Sequence, residues 1–133
     1  MQGVNKVILV GRVGMVPEVK YTHDGRPIAR FSLATHRIYR DRKGDRREET
    51  EWHRVVSFGK LAEICDRYLD KGRAIYVEGH LQTRKWSDKE GNLRSKTEIL
   101  CDTVQLLSSG RQDAIQPAAP ILGNDEVVET LEA

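Results

Sequence analysis

The residues best suited to chemistry on a ligand fall in one ten-residue stretch, Glu51-Trp52-His53-Arg54-Val55-Val56-Ser57-Phe58-Gly59-Lys60. It holds two aromatic rings and two cations. If the stretch is a β-strand, Trp52, Arg54, Val56 and Phe58 share one parity and point to one face. Core strands usually turn alternate apolar residues inward and leave charge outside. Here a tryptophan, an arginine and a phenylalanine share a face, with Lys60 just beyond. Base rings stack on aromatic faces and phosphates seek Lys and Arg, so this mixture suits a single-stranded nucleic acid. Two rings filling a core while Arg54 snorkels past them is the competing reading of an isolated strand.

Other chemistry finds no residues to carry it. His23, His36, His53 and His80 have no metal-ligand spacing, and Cys65 and Cys101 add none. Gly11-Arg12-Val13-Gly14 lacks the Gly-Lys-Ser/Thr ending of a phosphate loop. No nucleophile–base pair is arguable, and Glu48-Glu49 sits in a run of charges that reads as solvated surface. The expectation is a non-enzymatic protein with no cofactor and no metal.

The elements that must position these residues can be read from periodicity. Val4 to Val13 is a β-branched run expected to be a strand buried on both faces, with Gly11 and Gly14 allowing a bend. A short strand, Glu18 to Thr22, precedes the hairpin signal Asp24-Gly25. A strand from Pro27 to about Tyr39 follows, alternating Ile28, Arg30 and Ser32 against Ala29, Phe31 and Leu33. Nearly every residue from Arg40 to Glu49 is charged, which predicts a mobile hairpin tip before the Trp52 strand. Leu61, Ile64, Cys65, Tyr68 and Leu69 then keep helical spacing, and Lys71-Gly72 ends the helix. Strands from Arg73 to Trp86 and from Leu93 to Leu107 close the domain. In the first of these, Ile75, Val77, Gly79 and Leu81 take one face, and Tyr76, Glu78, His80, Gln82, Arg84 and Trp86 the other. Five long strands with one helix between the third and fourth is the wiring of an OB-fold, a five-stranded β-barrel.

The domain is expected over residues 1–108, with residues 109–133 a flexible acidic tail. Through residue 110 the chain carries 21 Lys and Arg against 15 acids; after it, one Arg stands against five acids. A basic body with an acidic end fits a nucleic-acid binder. Both cysteines read as small buried hydrophobes in a reducing compartment. No leader or membrane span is apparent, so a cytoplasmic, nucleoid-associated protein is expected.

Six blocks occur in order: Asn5-Lys6-Val7-Ile8-Leu9-Val10-Gly11, Phe31-Ser32-Leu33-Ala34-Thr35, Glu51-Trp52-His53-Arg54-Val55-Val56, Phe58-Gly59-Lys60-Leu61-Ala62-Glu63, Tyr68-Leu69-Asp70-Lys71-Gly72 and Gly79-His80-Leu81-Gln82-Thr83-Arg84-Lys85-Trp86. Together, over residues 3 to about 108, they resemble the bacterial single-stranded DNA-binding protein family. The resemblance implies a homotetramer of OB-folds that coats single-stranded DNA in replication, recombination and repair. By position it implies base stacking by Trp52, Phe58 and Trp86, and by Tyr39 where the family usually has tryptophan. It implies phosphate contacts from Lys6, Arg54, Lys60, Lys71, Arg84, Lys85 and Arg94, with Gln82 standing where close relatives often carry Arg. It places His53, Tyr76 and His80 at subunit contacts.

The tail departs from the family. The usual long linker ending in Asp-Ile-Pro-Phe, which docks replication and repair proteins, is replaced by a short acidic end without Pro-Phe. Docking and simple solubilisation both fit such an end. Two further classes stand beside the coating protein: an OB-fold adaptor of a replication assembly, and an OB-fold RNA binder. An adaptor would have no need of exposed rings, whereas stacking and charge alone do not separate DNA from RNA.

Overall fold

The computed structural model describes residues 1–107 and 121–123. Its elements are β1 (Val7–Val13), β2 (Glu18–Tyr21), β3 (Pro27–Arg40), β4 (Arg46–Phe58), α1 (Lys60–Tyr68), β5 (Ala74–Ser87), β6 (Leu93–Leu106) and β7 (Ile121–Gly123). The five long strands pair in the order β1-β5-β6-β4-β3, and β3 returns to β1, so the sheet closes into a five-stranded barrel. The expected OB-fold arrangement holds, with α1 between the third and fourth long strands.

The barrel is two long antiparallel hairpins, β3–β4 and β5–β6, joined by shorter seams. The β4–β6 seam is parallel and has two pairs, Val55 with Ile99 and Val56 with Leu100. The β1–β3 seam also has two, Arg12 with Ala34 and Val13 with Leu33. At this second seam the backbones approach so closely that a Cβ on Gly11 would lie 2.2 Å from the Ala34 carbonyl oxygen. Only glycine admits that approach.

The inner face packs Leu33, Val55, Ile75, Val77 and Val104 against Leu61, Ile64 and Cys65 of α1, which rests on β3 and β4. Cys65 and Cys101 are free and buried, and burial pushes the Cys65 thiol up to about 11. β1 differs from expectation. Val13 is buried and Val7 and Leu9 pack inward, but Ile8 and Val10 are 57% and 59% exposed. The β-branched run encodes a strand, yet among the described residues nothing covers the outer face at Ile8 and Val10.

The predicted mobile tip at residues 40–49 is shorter than its charge implies. β3 and β4 stay paired out to Arg40 and Arg46, leaving a turn of Asp41 to Asp45. Asp41 Oδ1 accepts the backbone N–H groups of Lys43 and Asp45 at 2.9 and 3.0 Å, and its Oδ2 accepts Arg47 Nε at 3.0 Å. Ladder hydrogen bonds need no buried side chains, so a charged ribbon can remain a strand. The β5–β6 tip repeats the design. Asp88 accepts from the N–H groups of Glu90 and Asn92 and from Arg94 Nε. Gly44 and Gly91 sit at φ 83 and 85. These hydrogen bonds, from Arg47 foremost at Asp41 and from the Asn92 N–H foremost at Asp88, hold both carboxyls below the ordinary carboxylate range.

β7 pairs antiparallel with β6, Ile121 opposite Gln105. The rest of the expected 109–133 tail lies outside the described residues.

Candidate nucleic-acid interface

The rings singled out on β4 lie outside the core. Trp52 is 57% exposed, Trp86 42% and Phe58 40%. Trp52 pairs with Ala34 and Arg54 with Ser32, so both side chains stand on the outer face of the β3–β4 ladder. Val56 shares their parity but is buried, because there β4 is flanked by β3 on one side and β6 on the other. Towards Trp52 the parallel pairing with β6 has ended, and the ring is left in the open. It rests against Gly14: a Cβ there would lie 2.5 Å from Trp52 Cζ3.

A groove runs along this face. It is two adjoining cavities that share Met15, Ser32 and Arg54: Trp52 and Leu81 line one, and Arg30, Arg84 and Lys96 line the other. The Arg84 guanidinium carbon lies 5.6 Å from the centre of the Trp86 ring, linking that ring to the groove. Sequence reasoning missed three residues here. Glu98 is a buried carboxylate that accepts Arg84 Nε at 2.9 Å and lies 3.7 Å from Arg30 Nε and 4.0 Å from Lys96 Nζ. Arg30 could have been found, since it shares the outward parity of Ser32; nothing local marks Glu98 or Lys96.

Not every expected residue joins this face. The β3–β4 ladder is unbroken, so Tyr39, opposite Arg47, is on the face opposite Trp52. Its hydroxyl donates to Glu49 Oε1 at 2.7 Å, which raises its pKa, and Arg37 lies 4.4 Å above its ring. Lys85 pairs with Ser95 on the face opposite Arg84 and Trp86, the face that carries Leu81, and lines neither cavity. Arg94 is opposite Trp86 but is held by Asp88. Lys60 begins α1, 3.9 Å from Glu63, and Lys71 occupies the exposed turn after the helix. Lys6 lies 3.3 Å from Glu78 instead, away from the groove.

That second location gathers the expected subunit-contact residues. Tyr76 pairs with Val10 and Glu78 with Ile8, putting Tyr76 on the same outer face as the two exposed aliphatics of β1. His80 follows on the same face of β5, 3.1 Å from Asp102. His53, 2.9 Å from Thr35 Oγ1, lines a cavity with Ile8 and Val10.

Among the described residues, no group of His, Cys, Asp and Glu could hold a metal ion, and no helix is long and apolar enough to cross a membrane.

The profile of the "Single-strand binding protein family" matches residues 4–107. Over 109 residues the chain is 48% identical to single-stranded DNA-binding protein 1 of Chlorobaculum tepidum, covering 81% of this chain and 67% of that protein. Among solved structures it resembles the Plasmodium falciparum protein in complex with single-stranded DNA, at TM-score 0.70 and 40% identity over 75% of this chain and 88% of that one. It also resembles a deletion mutant of the Thermus aquaticus single-stranded DNA binding protein, at TM-score 0.68 and 30% identity, over 78% of this chain and 57% of that one. The chain is a member of the single-strand binding protein family, non-enzymatic proteins that bind single-stranded DNA.

Proposed function

We propose that this protein coats single-stranded DNA with little regard to sequence during replication, recombination and repair, as a homotetramer in the cytoplasm. Bases stack on Trp52 and Trp86, with Phe58 extending the aromatic path and Tyr39 serving strand segments that pass the outer hairpin. Arg54 and Arg84 take phosphates along the groove. Lys6, Lys60, Lys71, Lys85 and Arg94 contribute positive charge from outside it. The observation that carries this reading is Trp52, exposed, backed by Gly14 and flanked by Arg54 in an open groove. An aromatic plane beside a cation binds any base and its phosphate without reading sequence. An adaptor acting through protein contacts would gain nothing from such a ring.

The tetramer reading rests on the outer face of β1 and β5. Ile8 and Val10 leave apolar surface open beside Tyr76, His80 and His53, and a second copy covering it would bury that area in a symmetric contact.

Titration with poly(dT), with light-scattering mass measured in parallel, tests both. Tryptophan fluorescence is expected to fall strongly on binding, and the mass to be that of four chains. Absence of quenching and binding overturns the DNA reading, and a monomeric mass at micromolar concentration overturns the assembly. A salt series refines the mechanism. Each phosphate neutralised on a single strand contributes about −0.7 to the slope of log affinity against log salt. Arg54→Gln is expected to flatten that slope by about 0.7 and to weaken binding to poly(dT) and to mixed sequences alike. An unchanged slope removes Arg54 from the phosphate path.

A further inference from the structure

A carboxylate buried in a groove meant for an anion is an unexpected choice. Glu98 is 4% exposed, yet it lies among Arg30, Arg84 and Lys96, whose side chains remain 35%, 48% and 30% accessible. A buried carboxylate is costly unless cations and hydrogen bonds compensate it. Those cations come from three different strands: Arg30 from β3, Arg84 from β5 and Lys96 from β6. Three positive charges around one negative leave the cluster with a net positive charge at the groove surface. Only the Nε–H of Arg84 is given to Glu98 in a hydrogen bond, and a guanidinium carries four more N–H donors.

We propose that Arg30, Arg84 and Lys96 form a phosphate-binding station for the DNA backbone, and that Glu98 is its resident counter-anion. Resting on the DNA-binding reading above, this adds Arg30 and Lys96 to the binding cations and gives Glu98 a regulatory part. With DNA absent, Glu98 relieves the repulsion among three cations and keeps them gathered. With DNA bound, a phosphate shares the same cations, and the carboxylate beneath them repels it. Glu98 therefore stabilises the free protein and moderates its grip on the strand, so that bound protein can be displaced.

The opposed signs of those two effects allow a decisive test. In Glu98→Gln the side chain keeps its shape and a hydrogen-bond acceptor for Arg84 but loses its charge. The free protein is expected to melt at a lower temperature. It should nevertheless bind oligo(dT) about tenfold more tightly at moderate salt, because one repelling charge has gone. The salt slope should steepen by up to about 0.7. Saturating oligo(dT) should then narrow the gap in melting temperature between the variant and the parent. A purely structural glutamate would lower the melting temperature with binding unchanged or weakened, and that result overturns the counter-anion role. Arg30→Gln and Lys96→Gln, both at part-exposed positions, test the station itself: each should flatten the slope by about 0.7. If Glu98→Gln does not fold, these two decide, and unchanged slopes overturn the proposal. Quenching of the parent protein by poly(dT) in the same series separates failure of this station from failure of the DNA-binding reading.

Discussion

Replacing Trp52 and Trp86 together by alanine is expected to abolish most DNA affinity while leaving the fold nearly untouched. Each base stacked on an aromatic ring is worth about 1–3 kcal/mol by alanine substitution. Two lost contacts therefore weaken oligo(dT) binding by about 30-fold to ten-thousandfold, at about 1.4 kcal/mol per decade. Both rings are about half exposed, so their removal leaves no enclosed cavity, and surface substitutions usually change stability by within about 0.5 kcal/mol. The salt slope should stay near its original value, since a ring releases no counterions. Each single variant should retain quenching from the remaining tryptophan, which identifies which ring meets DNA. If the double variant loses its thermal transition instead, the rings are structural and the proposed division between stacking and phosphate contacts is wrong.

Gly11→Ala is expected to destabilise the barrel strongly for the addition of one methyl group. The new Cβ would fall 2.2 Å from the Ala34 carbonyl oxygen and 3.0 Å from its carbonyl carbon, and backbone atoms cannot swing aside as a side-chain tip can. β1 must then move away from β3, across a seam that has only two residue pairs. Overpacking of this kind costs about 1–3 kcal/mol. For a domain of this size that lowers the melting temperature on the order of 10 °C. Gly3→Ala, where nothing lies within 4 Å, is the control and should melt with the parent. A Gly11→Ala protein melting within a degree of the parent would show that the seam yields easily.

The strand order and the helix were legible because alternation and helical spacing are local properties. Trp52 was legible as a candidate only through its company: a ring and an arginine on one parity make a poor core face. What made that stretch ambiguous, the buried Val56 beside the exposed Trp52, is settled by how far β6 runs alongside β4. That is a tertiary fact with no local signature. The same limit applies to Glu98, whose burial depends on cations from three strands meeting over it. Tyr39 shows the converse. Its position relative to Trp52 followed from parity once the β3–β4 register was known, but a charged stretch concealed that the register continues unbroken to the tip. Lys85 and Arg84, neighbours in sequence, point to opposite faces for the same reason.

The twin turns carry a consequence for how this surface can change over generations. Asp41 to Arg47 and Asp88 to Arg94 share the pattern Asp-x-x-Gly-x-x-Arg, and in both the aspartate side chain gathers two backbone N–H groups and the arginine. Apart from the glycine at positive φ, the side chains of the intervening positions are free to differ. They differ here: the first tip carries four cations and two acids, the second two of each. One turn scaffold thus displays two different charges, and selection can rewrite either tip without renegotiating the barrel that supports it.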